Sequence, residues 1–146
     1  MKNIRRANTE DLGRIAEIEI FNYRLNFYPI FKNDRFYFEE LQVTKQIKKY
    51  ENSIEHIWVY DDGAVKGFIQ TEHRQVKKLF VEPMLQRQSI GAKLLEHAIA
   101  EMDVKFLWAL EKNVKAISFY KRHGFRLTDD KKFEDDTTEY LVRLER

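Results

Sequence analysis

A segment near the middle of the chain has the residue types that bind phosphate. The apolar, β-competent residues 79–81 give way to a polar loop, and apolar residues then recur at helical spacing from Ile90. A helix that begins after such a loop has amide groups without intrahelical partners in its first turn, and these attract phosphate. The loop reads Gln86-Arg87-Gln88-Ser89-Ile90-Gly91-Ala92. One cation, together with little side chain at Gly91 and Ala92, predicts a cradle for a pyrophosphate group.

A second segment, residues 113–125, has the start and stop signals of a short helix. Asn113 is a favourable N-cap, and the basic residues 121–123 suit the negative end of the helix dipole. Gly124 can adopt the left-handed conformation that ends a helix. We therefore predict a helix that is followed by a strand from Phe125.

These two segments resemble the signatures of the GNAT superfamily of N-acetyltransferases. The family's Gln/Arg-x-x-Gly-x-Gly/Ala loop binds the pyrophosphate of acetyl-CoA, and here Gln86 matches its first position while Ser89 stands where glycine is usual. The family's second pattern, Asn-x-x-Ala-x-x-Phe-Tyr-x-x-x-Gly-Phe, is matched at Asn113, Ala116, Phe119, Tyr120, Gly124 and Phe125. With the strand pattern described below, the resemblance covers nearly the whole chain.

The resemblance implies a binding site for acetyl-CoA as a co-substrate. In the family, two strands splay apart after a bulge in the fourth strand, and the pantetheine arm lies between them, bonded to main chain. Carried over to this sequence, the cofactor-binding residues are Phe80, Val81, Gln86, Arg87, Gln88, Ser89, Ile90, Gly91, Ala92 and Asn113.

Ser89 has two interpretations. If its position requires a positive φ, the serine Cβ is costly where glycine would be free. Alternatively, its hydroxyl caps the helix that begins at Ile90.

The resemblance also implies direct transfer of an acetyl group from acetyl-CoA to a primary amine of a small molecule, peptide or protein. Tyr120 is then the candidate acid for the departing thiolate, because a phenol pKa of about 10 is close to that of a thiol. The alternative is a tyrosine that only packs in the core. Some family members take the amine's proton with a glutamate at a position that here corresponds to Gln75. The nearest carboxylates are Glu72, our candidate base, and Glu82, with solvated surface charges and water relay as the alternatives.

The remaining pattern predicts the elements that position these residues. A first strand covers residues 2–6, and helices follow over about 10–26, ended by Pro29, and 38–51. Three strands form a meander with a hairpin turn at residues 61–63, and a buried strand covers 104–110. The order predicts a GNAT-like α/β (α+β) fold, with a mixed, mostly antiparallel sheet of about six or seven strands and helices on both faces.

Composition limits the classes of function. The chain has 146 residues and is expected to form a single domain over residues 1–146. It has no cysteine, and its four histidines lack metal-site spacing, so we expect no metal. A net charge of +2, with both signs mixed along the chain, argues against nucleic acid. No apolar run is long enough for a membrane span, and no signal segment is recognisable, so the expected location is cytoplasmic.

Two further patterns leave the acceptor open. Eight aromatic residues lie between positions 21 and 38, and they either pack a loop against the sheet or wall an acceptor pocket. Residues 129–136 form an acidic stretch that either keeps a loop soluble or attracts a cationic acceptor. The expected partners are acetyl-CoA and an amine, and a homodimer stays open. A catalytically silent acyl-CoA-binding module is the rival hypothesis, although it would not need Tyr120.

Overall fold

A single sheet of seven strands organises the structure. A computed structural model describes residues 2–146, and the strands lie in the order β1-β2-β3-β4-β5-β7-β6. Neighbouring strands are antiparallel except for β4 and β5, which are parallel. The strands are β1 (Ile4–Arg6), β2 (Ile57–Asp61), β3 (Val65–Glu72), β4 (Gln75–Val81), β5 (Phe106–Leu110), β6 (Arg126–Phe133) and β7 (Tyr140–Glu145). The predicted mixed, mostly antiparallel sheet is confirmed.

Both faces of the sheet carry helices, and residues 2–146 contain five α-helices. They are α1 (Leu12–Asn22), α2 (Tyr28–Phe31), α3 (Val43–Glu51), α4 (Ile90–Met102) and α5 (Val114–Arg122). The predicted N-cap at Asn113 is confirmed, since its side chain accepts a hydrogen bond from the Ala116 amide. Asn8 caps the turn before α1. Gly124 ends α5 with a φ of +91°.

The prediction that Pro29 ends the first helical segment is wrong. After α1 the chain continues through a π-helical turn, Tyr23–Phe27, and then through α2 as far as Phe31. Pro29 lies at the start of α2, where the missing N–H costs little, and Lys32 ends the segment with a φ of +52°. The second predicted helix is likewise divided into a π-helical turn, Phe36–Glu40, and α3.

The core is divided by the sheet into two layers. Phe68 packs on the side of α1 and α3, whereas its neighbour Ile69 packs on the side of α4 and α5. Gly67 allows α4 to approach the sheet closely, because a Cβ there would lie 3.2 Å from side-chain atoms of Ile90 and Leu94. A third cluster, centred on Ile20, Tyr37 and Leu41, carries most of the aromatic residues of positions 21–38.

The end of the chain differs from the prediction in one respect. The acidic stretch was expected to be a loop over residues 129–136, but Asp129 and Asp130 lie within β6, next to an irregularity in its pairing with β7. The β6–β7 loop therefore contains residues 134–139. Among the helices of residues 2–146, none is long and apolar enough to cross a membrane.

Candidate functional site

The parallel strands β4 and β5 are paired only at their beginnings. Gln75 is aligned with Phe106 and Val76 with Leu107, and no further pair joins the two strands. Just after this point the β3–β4 register shifts, because Gln70 is opposite Lys78 while Thr71 is opposite Val76. Lys77 is therefore an extra, bulged residue. The bulge and the divergence leave one edge of β4 without a neighbouring strand beyond Val76.

A cavity of about 550 Å³ fills the space beside this gap. It runs from the diverging strands, past α5, to the aromatic segment between α1 and α3. Its lining comprises Tyr23, Phe27, Phe31, Asn33, Phe36 and Tyr37 from that segment, residues 76–80 of β4, residues 107–110 of β5, Asn113, Ala116 and Tyr120 at α5, and residues 134–137 with Leu141. The aromatic residues of positions 21–38 therefore have two roles in the structure: several pack against one another, and several line the cavity.

The predicted phosphate loop joins β4 to α4. Residues 86–89 are exposed, whereas Ile90 is buried and offers only its backbone. The first hydrogen bond of α4 runs from the Lys93 amide to the Ser89 carbonyl, at 3.0 Å. In the described part of the chain, the amides of residues 90–92 have no hydrogen-bond acceptor. These amides, at the positive end of a helix of 13 residues, form a site that fits an anion.

The backbone decides between the two interpretations of Ser89. This residue has φ +65° and ψ 12°, in the left-handed region, and its side chain makes no capping hydrogen bond. Arg87, two residues earlier, also has a positive φ, of +70°. The loop therefore has the strained conformation that glycine would adopt freely, and the expected hydroxyl cap is not formed.

Tyr120 lies on α5 with its side chain in the cavity wall. It is only 8% exposed, and within residues 2–146 its hydroxyl makes no hydrogen bond. Burial raises the pKa of Tyr120 above its ordinary value, so the phenol stays protonated across the neutral range. The close match between phenol and thiol pKa values that was expected from the sequence is thereby lost. The group is suited to donating a hydrogen bond into the cavity.

Glu72, the candidate base, is not brought to the cavity. It is exposed at the far end of β3, opposite Gln75 at the start of the β3–β4 hairpin. Asn113, in contrast, does line the cavity while it caps α5. The carboxylates that do line the cavity are Glu134, Asp135 and Asp136, from the β6–β7 loop.

Sequence reasoning missed Asn22 as a residue that positions the site. Asn22 is 2% exposed at the end of α1, and its amide nitrogen donates to the carbonyl of Val81, at 2.9 Å. Its side-chain oxygen accepts from Gln86 at 3.4 Å. Asn22 therefore ties α1 to the end of β4 and to the phosphate loop. An asparagine on the buried stripe of a helix was the only signal in the sequence, because a buried amide needs partners.

Comparison with known proteins identifies the family. The sequence model described as "Acetyltransferase (GNAT) domain" matches residues 53–127, which is just over half of the chain. The chain belongs to the GNAT acetyltransferase family. The range that matches the GNAT model contains the meander, the phosphate loop, α4, β5 and α5. The diverging strands β4 and β5, the free amides of α4 and Tyr120 all lie within this range.

Two curated relatives of this GNAT chain are named peptidyl-lysine N-acetyltransferases. YjaB of Salmonella typhimurium is 31% identical over 81 residues, which cover 54% of this chain and 56% of that protein. YiaC of Escherichia coli is 34% identical over 74 residues, covering 49% of this chain and 51% of that protein. The chain thus matches about half the length of these relatives.

Solved structures share the GNAT fold over almost the whole chain. The solution structure of apo YjaB from Escherichia coli has a TM-score of 0.72 at 23% identity and covers 97% of this chain and 95% of that one. The crystal structure of the PaiA N-acetyltransferase from Thermoplasma acidophilum in complex with coenzyme A has a TM-score of 0.69 at 19% identity, covering 98% of each. At these identities the likeness shows the fold.

Proposed function

We propose that this chain transfers the acetyl group of acetyl-CoA directly to a primary amine. The observation that carries the proposal is that the buried Tyr120 side chain presents a hydroxyl without a hydrogen-bond partner within residues 2–146 to the cavity beside the gap between β4 and β5. The free amides of α4 would hold the pyrophosphate, and the free edge of β4 would hold the arm that carries the thioester. Asn113 and Phe80 line the cavity on that route, and Val81 follows Phe80 at the end of β4.

The reaction requires one bond to form and one to break. The neutral amine nitrogen attacks the thioester carbonyl carbon, the carbon–sulfur bond breaks, and an amide and a CoA thiolate result. Tyr120 donates a hydrogen bond to the sulfur as negative charge develops there, and it keeps its proton because burial raises its pKa. The departing thiolate takes its proton from water. The proton that the amine loses goes to water, because Glu72 lies outside the cavity.

A lysine side chain is the first protein acceptor to test, since the two curated relatives are named for peptidyl-lysine. The chain's own aromatic residues support an acceptor with an alkyl stem, because several rings of the segment between α1 and α3 line the cavity. The same features would serve a small alkylamine.

The alternative function is a silent module that binds acyl-CoA for sensing or assembly. Such a module would keep the phosphate loop and Asn113 but would gain nothing from a buried hydroxyl facing the thioester. The presence of Tyr120 favours the enzyme.

Removal of the Tyr120 hydroxyl tests the proposal. We expect Tyr120→Phe to lower kcat by roughly tenfold to a thousandfold and to leave the affinity for CoA nearly unchanged, since the ring still fills its site. Tyr140→Phe is the matched control, because Tyr140 is 42% exposed and does not line the main cavity. The release of free thiol with a panel of amines gives kcat, and calorimetry gives the affinity for CoA. Equal turnover in Tyr120→Phe and the parent would remove Tyr120 from the reaction.

A further inference from the structure

The charged residues that line the main cavity are unevenly paired. Lys78 forms an ion pair with the buried Glu19, at 2.5 Å, so these two residues together add no net charge to the cavity. The others are Lys77 and the three carboxylates Glu134, Asp135 and Asp136. Across residues 2–146, none of these three carboxylates has a basic side chain within ion-pair distance.

The β6–β7 hairpin has both paired and unpaired charges. Glu139, at the far end of the same loop, is paired with Lys112, and Lys131 of β6 is paired with Glu111, each at 2.6 Å. Asp129 and Asp130 of β6, which are exposed outside the cavity, have no ion pair within residues 2–146 either. In the cavity lining, three carboxylates face one cation without an ion pair, Lys77, so the lining has a net negative charge that a positive group from outside the chain would balance.

Three aromatic rings form part of the same cavity's wall. The ring centroids of Tyr23 and Phe27 are 5.1 Å apart, those of Tyr23 and Phe80 are 5.6 Å apart, and those of Phe27 and Phe80 are 6.4 Å apart. Such a wall buries an alkyl chain and also favours a cation near the ring faces. It joins the carboxylate end of the cavity to the β4 strand on which the thioester would lie.

Glu134 is the innermost of the three carboxylates. It is half-buried, whereas Asp135 and Asp136 are exposed. Its charge lies close enough to the aromatic segment to act with burial in raising the pKa of Tyr37 to about 12, and it also helps to raise that of Tyr23. Glu134 also accepts a hydrogen bond from the Asp135 amide, at 3.2 Å, but this does not neutralise its charge. The hydroxyl of the buried Tyr120 side chain is in the same cavity and makes no hydrogen bond within residues 2–146. Carboxylate charge and a free hydroxyl donor therefore line one space.

The reacting amine does not explain the carboxylates. An amine attacks only after it has lost its proton, and three carboxylates beside it would favour the charged form and oppose that loss. A second positive group that keeps its charge throughout the reaction has no such conflict. The carboxylates would then bind the second positive group of the acceptor, while its reacting amine reaches the thioester.

We infer that the acceptor is a linear alkyl primary amine that carries a second positive group, which binds Glu134, Asp135 and Asp136 while the first amine is acetylated. This inference rests on the proposed function. The same chemistry is found in free diamines and polyamines and in a lysine with a basic neighbour in a peptide. In either source the alkyl stem lies along Tyr23, Phe27 and Phe80.

A comparison of matched amines tests the second charge. At low ionic strength we expect kcat/KM for 1,4-diaminobutane to exceed that for butylamine by about tenfold or more, and the preference to shrink with added salt. Glu134→Gln and Asp135→Asn/Asp136→Asn should each reduce this preference severalfold. The control is Asp129→Asn/Asp130→Asn, which removes the same charge from the same hairpin outside the cavity and should keep the preference. Equal rates for both amines in the parent, or an equal loss of preference in the control, would overturn the inference.

Two further experiments identify the source of the acceptor and distinguish a failure of this inference from a failure of the proposed function. Lysine peptides with and without an adjacent lysine replace the amines, and the higher kcat/KM identifies the free amine or the basic peptide as the source. Acetylation of monoamines and diamines at equal rates would contradict the second charge and leave the proposed function standing. Bound acetyl-CoA without acetylation of any amine would contradict the proposed function, and the inference with it.

Discussion

The Nζ of Lys78 lies 2.5 Å from the Oε2 of Glu19, although 59 residues separate the two along the chain. Glu19 is fully buried on α1, and its carboxylate also accepts hydrogen bonds from Gln46 at 2.6 Å and Tyr50 at 2.5 Å. Lys78 is the residue next to the β4 bulge and lines the cavity. The pair therefore fixes the bulged strand to α1 and neutralises a cation that would face the acceptor.

Loss of the Glu19 charge should destabilise the protein. We expect Glu19→Gln to lower the free energy of unfolding by about 3 kcal/mol, because it leaves the partly buried Lys78 ammonium without its counter-charge. Glu17→Gln is the control, since Glu17 pairs with Arg14 on the surface of the same helix and should contribute less than about 1 kcal/mol. Urea denaturation measures both. Equal, small losses in the two variants would contradict the role of the buried pair.

Ser89→Gly should relieve the left-handed strain in the phosphate loop. We expect the free energy of unfolding to rise by about 0.5 to 1 kcal/mol and CoA to bind at least as tightly as in the parent. Ser89→Ala is the matched control, because it keeps the Cβ and removes the hydroxyl. Calorimetric titration with CoA measures the affinities. A loss of about tenfold in both variants, or about 1.4 kcal/mol, would show that the hydroxyl itself holds the phosphate.

Gly91 separates the effect of size from the effect of charge in the same loop. A Cβ at Gly91 would lie 3.6 Å from Val81 and 3.7 Å from Phe119, which are ordinary contact distances. Gly91→Ala should therefore fold normally and still bind CoA. Gly91→Glu should abolish CoA binding, since it adds an anion to the cradle. Thermal melts check the fold and titration checks the affinity, and unchanged affinity in a folded Gly91→Glu protein would exclude the loop from the site.

The raised pKa of Tyr120 predicts the pH dependence of the reaction. The protonated phenol is the active form, so activity through this group is lost only when the pH rises past its raised pKa. The neutral amine is the reactive form of the acceptor, so kcat/KM should increase with pH toward the amine pKa of about 10.4. We expect a profile that rises from pH 7 to pH 10 without a descending limb. A descending limb near pH 10 that disappears in Tyr120→Phe would show an unshifted phenol.

Local signals in the sequence predicted most of the elements. Asn113, Gly124 and the start of α4 at Ile90 each depend on a few neighbouring residues, and the structure places them as expected. Pro29 misled the prediction because a proline is tolerated in the first turn of a new helix, and the π-helical turn before it supplies that start.

The residues at the acceptor end of the cavity could not be found in this way. Glu72 is near β4 in sequence, but the hairpin carries it away from the cavity, whereas Glu134 reaches the cavity from a loop more than 50 residues further on. Glu19 and Lys78 depend on the packing of α1 against β4, which no local pattern specifies. The single-domain organisation and the roles of the site residues stay predictions.

The central claim, acetyl transfer to an amine, is tested most directly by the product. The purified chain is incubated with acetyl-CoA and 1,4-diaminobutane or a lysine peptide, and mass spectrometry of the amine is compared with free thiol in the same sample. We predict one acetyl group on the amine for each thiol released, and a rate that falls together for both products in Tyr120→Phe. Thiol release without an acetylated amine, or binding of acetyl-CoA without either product, would contradict the claim.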